Sequence, residues 1–299
     1  MSKLSKIYNL SPDGLPFVDV DPGRDTRLFL DPARVQYLAD QCQLAQRASN
    51  LIADFSRTLL EGVISENNDE KTKAFRALLR LHEPAETRLG FSRRSTSGKG
   101  SGRFYAEMLW EELSENLDFL IRVGMLADIA CLPLFLRGFA ADRMSDMTTA
   151  IIREVLAEFT LHMMGEFPAL KGKQTGQLSL EVWDLSDHQW KRKDFWLPIL
   201  NGKPLLLVPR DWAAKDVSLR AGRYYSVEVL DYVRDQMLPK DIHPQHRPPK
   251  TAFREYAKEV IPANIEKTVE AALQDEDLIK RFRVFVNQKI SDDLRGDAA

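Results

Sequence analysis

The chain has 299 residues, 44% of them hydrophobic and 29% charged, which is the profile of a globular protein with a sizeable core. Its 42 Lys and Arg against 44 Asp and Glu give a formal net charge of -2, so no global field draws it to DNA, RNA or an anionic membrane. Its two cysteines, Cys42 and Cys131, form no CxxC pair, which excludes a cysteine zinc ribbon and a disulfide framework. Two thiols in a chain of this length fit a reducing compartment. The first ten residues contain no apolar signal-peptide core, and the longest apolar run, near 127–136, is too short to span a bilayer. The expected setting is the cytoplasm, away from membranes.

Residues 1–32 are rich in Pro, Gly and Asp and read as an extended N-terminal arm, with short alternating pieces at 17–21 and 28–30. Asp31-Pro32 is a helix-start signal. Apolar residues then recur at spacings of three and four over 33–64, with Ser49-Asn50 as a break between two helices. A second helix is expected over 70–82, a loop over 84–102 and a third amphipathic helix over 104–124. The segment 138–149 reads as a polar turn, with Ser145 capping a strongly apolar helix over 147–164.

Beyond Phe167-Pro168 the pattern changes. Residues 178–183 alternate like a strand, and 195–209 read as a β-hairpin on Asn201-Gly202. Residues 225–237 and 251–290 are helical, and 291–299 form a polar tail expected to fray. The fold class is therefore α+β, predominantly α-helical, with a small antiparallel β-hairpin or sheet region around 177–210. The organisation is an arm at 1–32, a helical domain at 33–167 and an α+β C-terminal region at 168–299. The boundary near 168–177 is read as dividing subdomains, so that the last two parts form one continuous domain.

Two places carry candidate chemistry. Asp142 and Asp146 flank a base and a hydroxyl. Carboxylates so close supply hard oxygens for Mg²⁺, or an acid/base pair with separated proton affinities. The competing explanation is structural, with Ser145 as the cap, Asp146 complementing the helix dipole and Asp142-Arg143 anchoring the turn. The second place is the basic Gly/Ser loop carrying Arg93, Arg94, Lys99 and Arg103, which suits phosphate contact or a flexible linker. It is not a Walker A loop, because Gly98-Lys99 is followed by Gly100. Asp19, Asp21, Asp25 and Asp31 read as turn aspartates that could approach Asp142 and Asp146 at one metal site. Glu181-Val182-Trp183 lacks the lysine of a restriction-type nuclease core, and His243 and His246 stand without the further ligands of a zinc site.

Residues 25–32 (Asp-Thr-Arg-Leu-Phe-Leu-Asp-Pro), 138–149 and 203–209 resemble an uncharacterised bacterial protein family associated with mobile-element and antiphage loci. The resemblance spans most of the chain. It implies a bacterial cytosolic setting and nucleic-acid-linked work, and it assigns no catalytic residue.

Two readings stand. In one, the chain is a nucleic-acid-linked effector of a defence system, a metal-dependent phosphodiesterase in which Asp142 and Asp146 hold Mg²⁺ while Arg93, Arg94, Lys99 and Arg103 grip phosphates. In the other, it is a non-catalytic subunit that binds a protein partner from the same locus.

Overall fold

The computed structural model describes residues 2–82, 84–90, 101–116, 128–171, 174–200, 202–239 and 242–296. The fold is α+β and predominantly helical, with small antiparallel sheets.

The N-terminal segment opens with a short helix, α1 (Leu4–Tyr8), inside what the sequence suggested was an extended arm. Leu4 and Phe17 are fully buried, and Val18 N–H donates to Val208 O at 2.9 Å. Its apolar residues thus belong to the core. The segment ends in strand β1 (Phe29–Leu30). Asp31 then starts helix α2 (Pro32–Leu38) as the Asp-Pro pair predicts, its carboxylate accepting from Ala33 N–H at 3.0 Å.

The helical break falls at 39–42 rather than at Ser49-Asn50. The next helix, α3, runs unbroken over Gln43–Ile64. Its inner face (Ala45, Ala48, Leu51, Ile52, Phe55, Leu59, Val63) holds Ser49 and Asn50 in helix despite their modest propensity. Helix α4 (Asn68–Leu79), capped by Asn67, packs on α3 so closely that a Cβ on Gly62 would lie 2.1 Å from Ala74 Cβ. Helix α5 (Ser101–Glu115) follows, and Leu132–Phe135 forms the short α6. Helix α7 is Ala141–Ile151 and α8 is Arg153–Glu166, separated by a break at Ile152 that the sequence pattern does not mark.

The main hairpin pairs β2 (Thr175–Asp184) with β3 (Gln189–Leu200), Trp183 opposite Trp190. Beyond Gly202 the hairpin expected over 195–209 reaches only β4 (Lys203–Pro204), with Leu200 opposite Lys203. Residues 205–208 leave the sheet to be buried. The hairpin tip is fixed to the helices through indole N–H groups, Trp183 donating to Asp54 at 2.9 Å and Trp190 to Ala77 O at 3.0 Å. Strand β5 (Ala213–Ala214) pairs antiparallel with β1.

The C-terminal part comprises α9 (Ala221–Tyr224), a π-helical turn over Tyr225–Val229, α10 (Leu230–Met237), α11 (Val260–Ala272) and α12 (Leu278–Gly296). Helix α12 carries the expected fraying tail on to Gly296. The buried hydrophobic residues form one cluster from Leu4 to Ile290, so the same core runs through all three sequence segments.

Candidate functional site

Helix α7 decides the geometry. Its N-cap is Ala140, so the helix begins five residues earlier than Ser145 as a cap would require. Gly138, at φ +77, turns the chain into it, and Arg143 Nη1 donates to Gly138 O at 2.6 Å. A side chain at Gly138 would have its Cβ 2.7 Å from that nitrogen. Asp142 lies in the first turn, where a carboxylate complements the helix dipole. Asp146 lies one turn on, and both carboxylates have neighbours that engage them. Ser145 is buried, its Oγ accepting from Leu30 N–H at 3.0 Å. The hydroxyl thus pins β1 onto α7 instead of capping the helix.

That pin brings residues 25–30 beside the helix start. Thr26 N–H donates to Arg88 O at 2.8 Å, and Gly90 N–H donates to Thr26 O at 3.0 Å and Leu28 O at 3.1 Å. The 86–90 segment is in turn joined to the chain after β4, Leu206 N–H donating to Glu86 O at 3.0 Å. Arg88 sits in the left-handed region at φ +58, a conformation that costs a non-glycine residue energy and is over-represented at functional sites. Gly90, at φ +113, presents its backbone to Asp142. A Cβ there would lie 3.0 Å from Asp142 Oδ1.

Asp25 lies within electrostatic range of three charged residues from three other segments, Arg88, Asp142 and Lys203. Burial pushes the Asp25 carboxyl above its ordinary value. Arg88 opposes the rise, Asp142 adds to it and Lys203 opposes it. Burial also pushes the Arg88 guanidinium down, against Asp25 and Glu86. Arg88 is only 8% exposed, and its Nε has no hydrogen-bond partner among the described residues. A carboxyl with raised proton affinity, in electrostatic range of a second acid and two cations, has the make-up of a general acid beside an anion-receiving group.

The other N-terminal acids serve elsewhere. Asp19 accepts from Ser5 N–H and Oγ–H, Asp21 from Gly23 N–H, and Asp31 from Ala33 and Ser218. Asp25 is in electrostatic range of Asp142. Among the described residues no three His, Cys, Asp or Glu side chains form a group that could hold a metal ion, so Asp25, Asp142 and Asp146 are not a three-carboxylate centre. Of the basic-loop residues, Arg93, Arg94 and Lys99 lie outside the described residues. Arg103 is paired with Glu107 at 2.7 Å, one helical turn along α5. In the hairpin, Glu181 pairs with Arg80 and Asp184 with Lys191.

The sequence reading missed Arg88 and Lys203. The only local signal was the Arg88-Leu89-Gly90 turn, and nothing in it points to Asp142. It also missed Asp54, a buried carboxylate that accepts from Trp183 and, at 3.0 Å, from His188 Nδ1–H.

The molecule is thus a predominantly helical α+β protein. A family described as Domain of unknown function (DUF8370) matches residues 8–220, and the chain belongs to that family. All four cluster residues fall within the match. No curated protein and no solved structure matches the chain. Among the described residues no helix is long and apolar enough to cross a membrane.

Proposed function

We propose that the Asp25–Arg88–Asp142–Lys203 cluster is a phosphodiesterase site and that its substrate class is nucleic acid. The observation that carries the reading is that Asp25, in electrostatic range of Asp142, Arg88 and Lys203, sits on a segment hydrogen-bonded to the Arg88–Gly90 turn, whose backbone faces Asp142. In hydrolysis, water attacks phosphorus. Asp142 takes the water proton, and Asp25, the carboxyl with the raised proton affinity, gives its proton to the leaving oxygen. Arg88 and Lys203 balance the charge on the phosphoryl oxygens. Mg²⁺ binds through one or two carboxylates, completing its shell with water and phosphate. Asp142 with Asp146, one turn apart on α7, is the pair that would take it from solvent. The basic segment holding Arg93, Arg94, Lys99 and Arg103 follows Gly90 in the chain and supplies cations for the phosphate backbone. The resemblance to a bacterial family of mobile-element and antiphage loci supports a cytoplasmic role in defence against invading nucleic acid.

The test is cleavage of labelled DNA and RNA by purified protein, with Mg²⁺ and with a chelator. Asp142→Ala is expected to lower the rate by about 10²–10⁴-fold, and Asp146→Ala to raise the Mg²⁺ concentration needed for half-maximal rate. Wild-type protein that cleaves neither polymer under either condition overturns the reading in favour of a non-catalytic, partner-binding subunit.

A further inference from the structure

The turn at 86–90 holds two polar atoms that the fold leaves unsatisfied. Its main chain is tied on both sides, Leu206 N–H donating to Glu86 O, Thr26 N–H to Arg88 O, and Gly90 N–H to Thr26 O and Leu28 O. Thr87 is buried between them, its hydroxyl donating to Pro84 O at 3.4 Å. Glu86 and Arg88 therefore project from a fixed backbone, which holds Arg88 in the left-handed region at φ +58. Glu86 is half-buried and Arg88 buried. Glu86 Oε2 and Arg88 Nε are both shut off from solvent, and neither has a hydrogen-bond partner among the described residues. A buried donor or acceptor left unmade costs stability. Two of them, two residues apart on a strained turn, call for a partner that the chain does not supply.

The chemistry of that partner follows from the two groups. A guanidinium only donates, and an ionised carboxylate only accepts. Arg88 lies within electrostatic range of Glu86 and of Asp25, so a ligand that meets Arg88 also meets the Glu86 carboxylate. It has to bring an acceptor to the one and a donor to the other. A phosphate oxygen supplies the acceptor, the role already given to Arg88. A bare phosphate would set its charge against Glu86, so the donor has to be a neutral hydroxyl or amine close to the phosphate. Base amino groups lie across the sugar from the phosphate. The sugars inside a DNA strand carry no free hydroxyl. Every sugar of an RNA strand carries a 2′-hydroxyl, which donates as well as accepts.

We propose that Glu86, beside Arg88, accepts a hydrogen bond from a ribose 2′-hydroxyl and so makes RNA the strand this site prefers over DNA. The inference deepens the nucleic-acid reading of the site and rests on it. The measurement is fluorescence anisotropy of a short labelled oligouridylate, its 2′-O-methyl form and its 2′-deoxy form, each titrated in chelator with wild type, Glu86→Ala and Glu86→Gln. The 2′-O-methyl strand keeps the ribose oxygen and loses its proton, so it isolates the donor and needs no variant. Wild type is expected to bind the ribo strand about tenfold more tightly than either of the others, the effect of one hydrogen bond to a charged group. Glu86→Ala is expected to bring the three strands level, with circular dichroism checking that its fold is kept. Glu86→Gln, whose carbonyl oxygen still accepts, is expected to keep part of the preference. Equal wild-type affinity for the ribo and deoxy strands overturns the proposal, as does a 2′-O-methyl strand bound as tightly as the ribo strand. A ribo preference unchanged in a folded Glu86→Ala overturns it as well. Wild-type hydrolysis of bis(p-nitrophenyl) phosphate, which has no ribose, separates the two claims. Absent hydrolysis with the Glu86-dependent preference intact would sink the phosphodiesterase chemistry alone, and hydrolysis without the preference would sink the RNA selectivity alone.

Discussion

Asp54 is a heavily engaged acid outside the cluster. Its side chain is 5% exposed and accepts from Trp183 Nε1–H, His188 Nδ1–H and Arg57. Burial pushes the carboxyl up, but the bonds from His188, Trp183 and Arg57 outweigh it and hold the group below the ordinary carboxylate range. A carboxyl depressed on folding contributes its stability above the unfolded value, about 3.9, and loses it as pH falls through the lower folded value. Chemical denaturation at a series of pH values is expected to show this acid limb in wild type and a flatter one in Asp54→Asn. Ser145 makes a second prediction at this scale. Ser145→Ala strands the buried Leu30 N–H, at a cost of about 1–3 kcal/mol measured by urea unfolding. Had the hydroxyl been a cap, glycine there would be tolerated. With Ser145 inside α7, Ser145→Gly is expected to cost more than Ser145→Ala, because it adds a helix-interior glycine. Asp142, Ser145 and Asp146 were legible in the sequence as a polar group, and the register of the helix that carries them was not. A serine beside an aspartate fits a cap equally well wherever the helix starts, and only the Leu30 bond separates the alternatives.

At the scale of elements, the fold followed the strongest local signals and departed where packing overrode them. Asp31-Pro32 started α2, and the spacing of apolar residues marked α3 and α4. The α2–α3 break carries no Gly or Pro over 39–42, so no local breaker announces it. The strand signal at 178–183 was correct, and its partner is the stretch 190–195 of β3, which the sequence pattern did not mark. The turn that pairs β2 with β3 has no glycine. It is closed by Asp184 Oδ1, which accepts from Ser186 and Asp187 N–H, and by His188 at φ +50. The close approach of α3 and α4 gives a third prediction. Gly62→Ala drives a methyl into Ala74 with Glu70 O behind it, and overpacking of this kind costs about 1–3 kcal/mol, read from the denaturation midpoint. Restoring space with Ala74→Gly is expected to recover part of that loss in the double variant.

Across the whole molecule, the family match ends at 220 while the core does not. Tyr224 and Phe282 are fully buried, and Asn264 Nδ2–H donates to Leu134 O at 2.8 Å. Arg283 of α12 reaches Asp128, Gln36 and the Cys131 sulfur, and burial pushes that thiol up to about 12 against the pull of Arg283. Arg34 pairs with Asp293 at 2.8 Å. A chain cut back to residues 8–220 is therefore expected to lose cooperative thermal unfolding and to aggregate. A sharp transition like that of the full chain would show that the C-terminal helices are dispensable. The same long-range closure explains why the site could not be read from sequence. The segments that carry Asp25 and Asp142 are joined by long-range bonds, Thr26 to Arg88, Gly90 to Thr26 and Leu30 to Ser145, and neither residue's neighbours in the chain encode them.

The central claim is that Asp25 and Asp142 work as one pair. The most direct measurement is a double-mutant cycle on hydrolysis of bis(p-nitrophenyl) phosphate, using wild type, Asp25→Asn, Asp142→Asn and the double variant. The account predicts that each single substitution lowers kcat/KM by about 100-fold or more and that the double variant loses little beyond either, because the groups act as a unit. Wild-type rates in Asp25→Asn, or losses that simply multiply in the double variant, would contradict it.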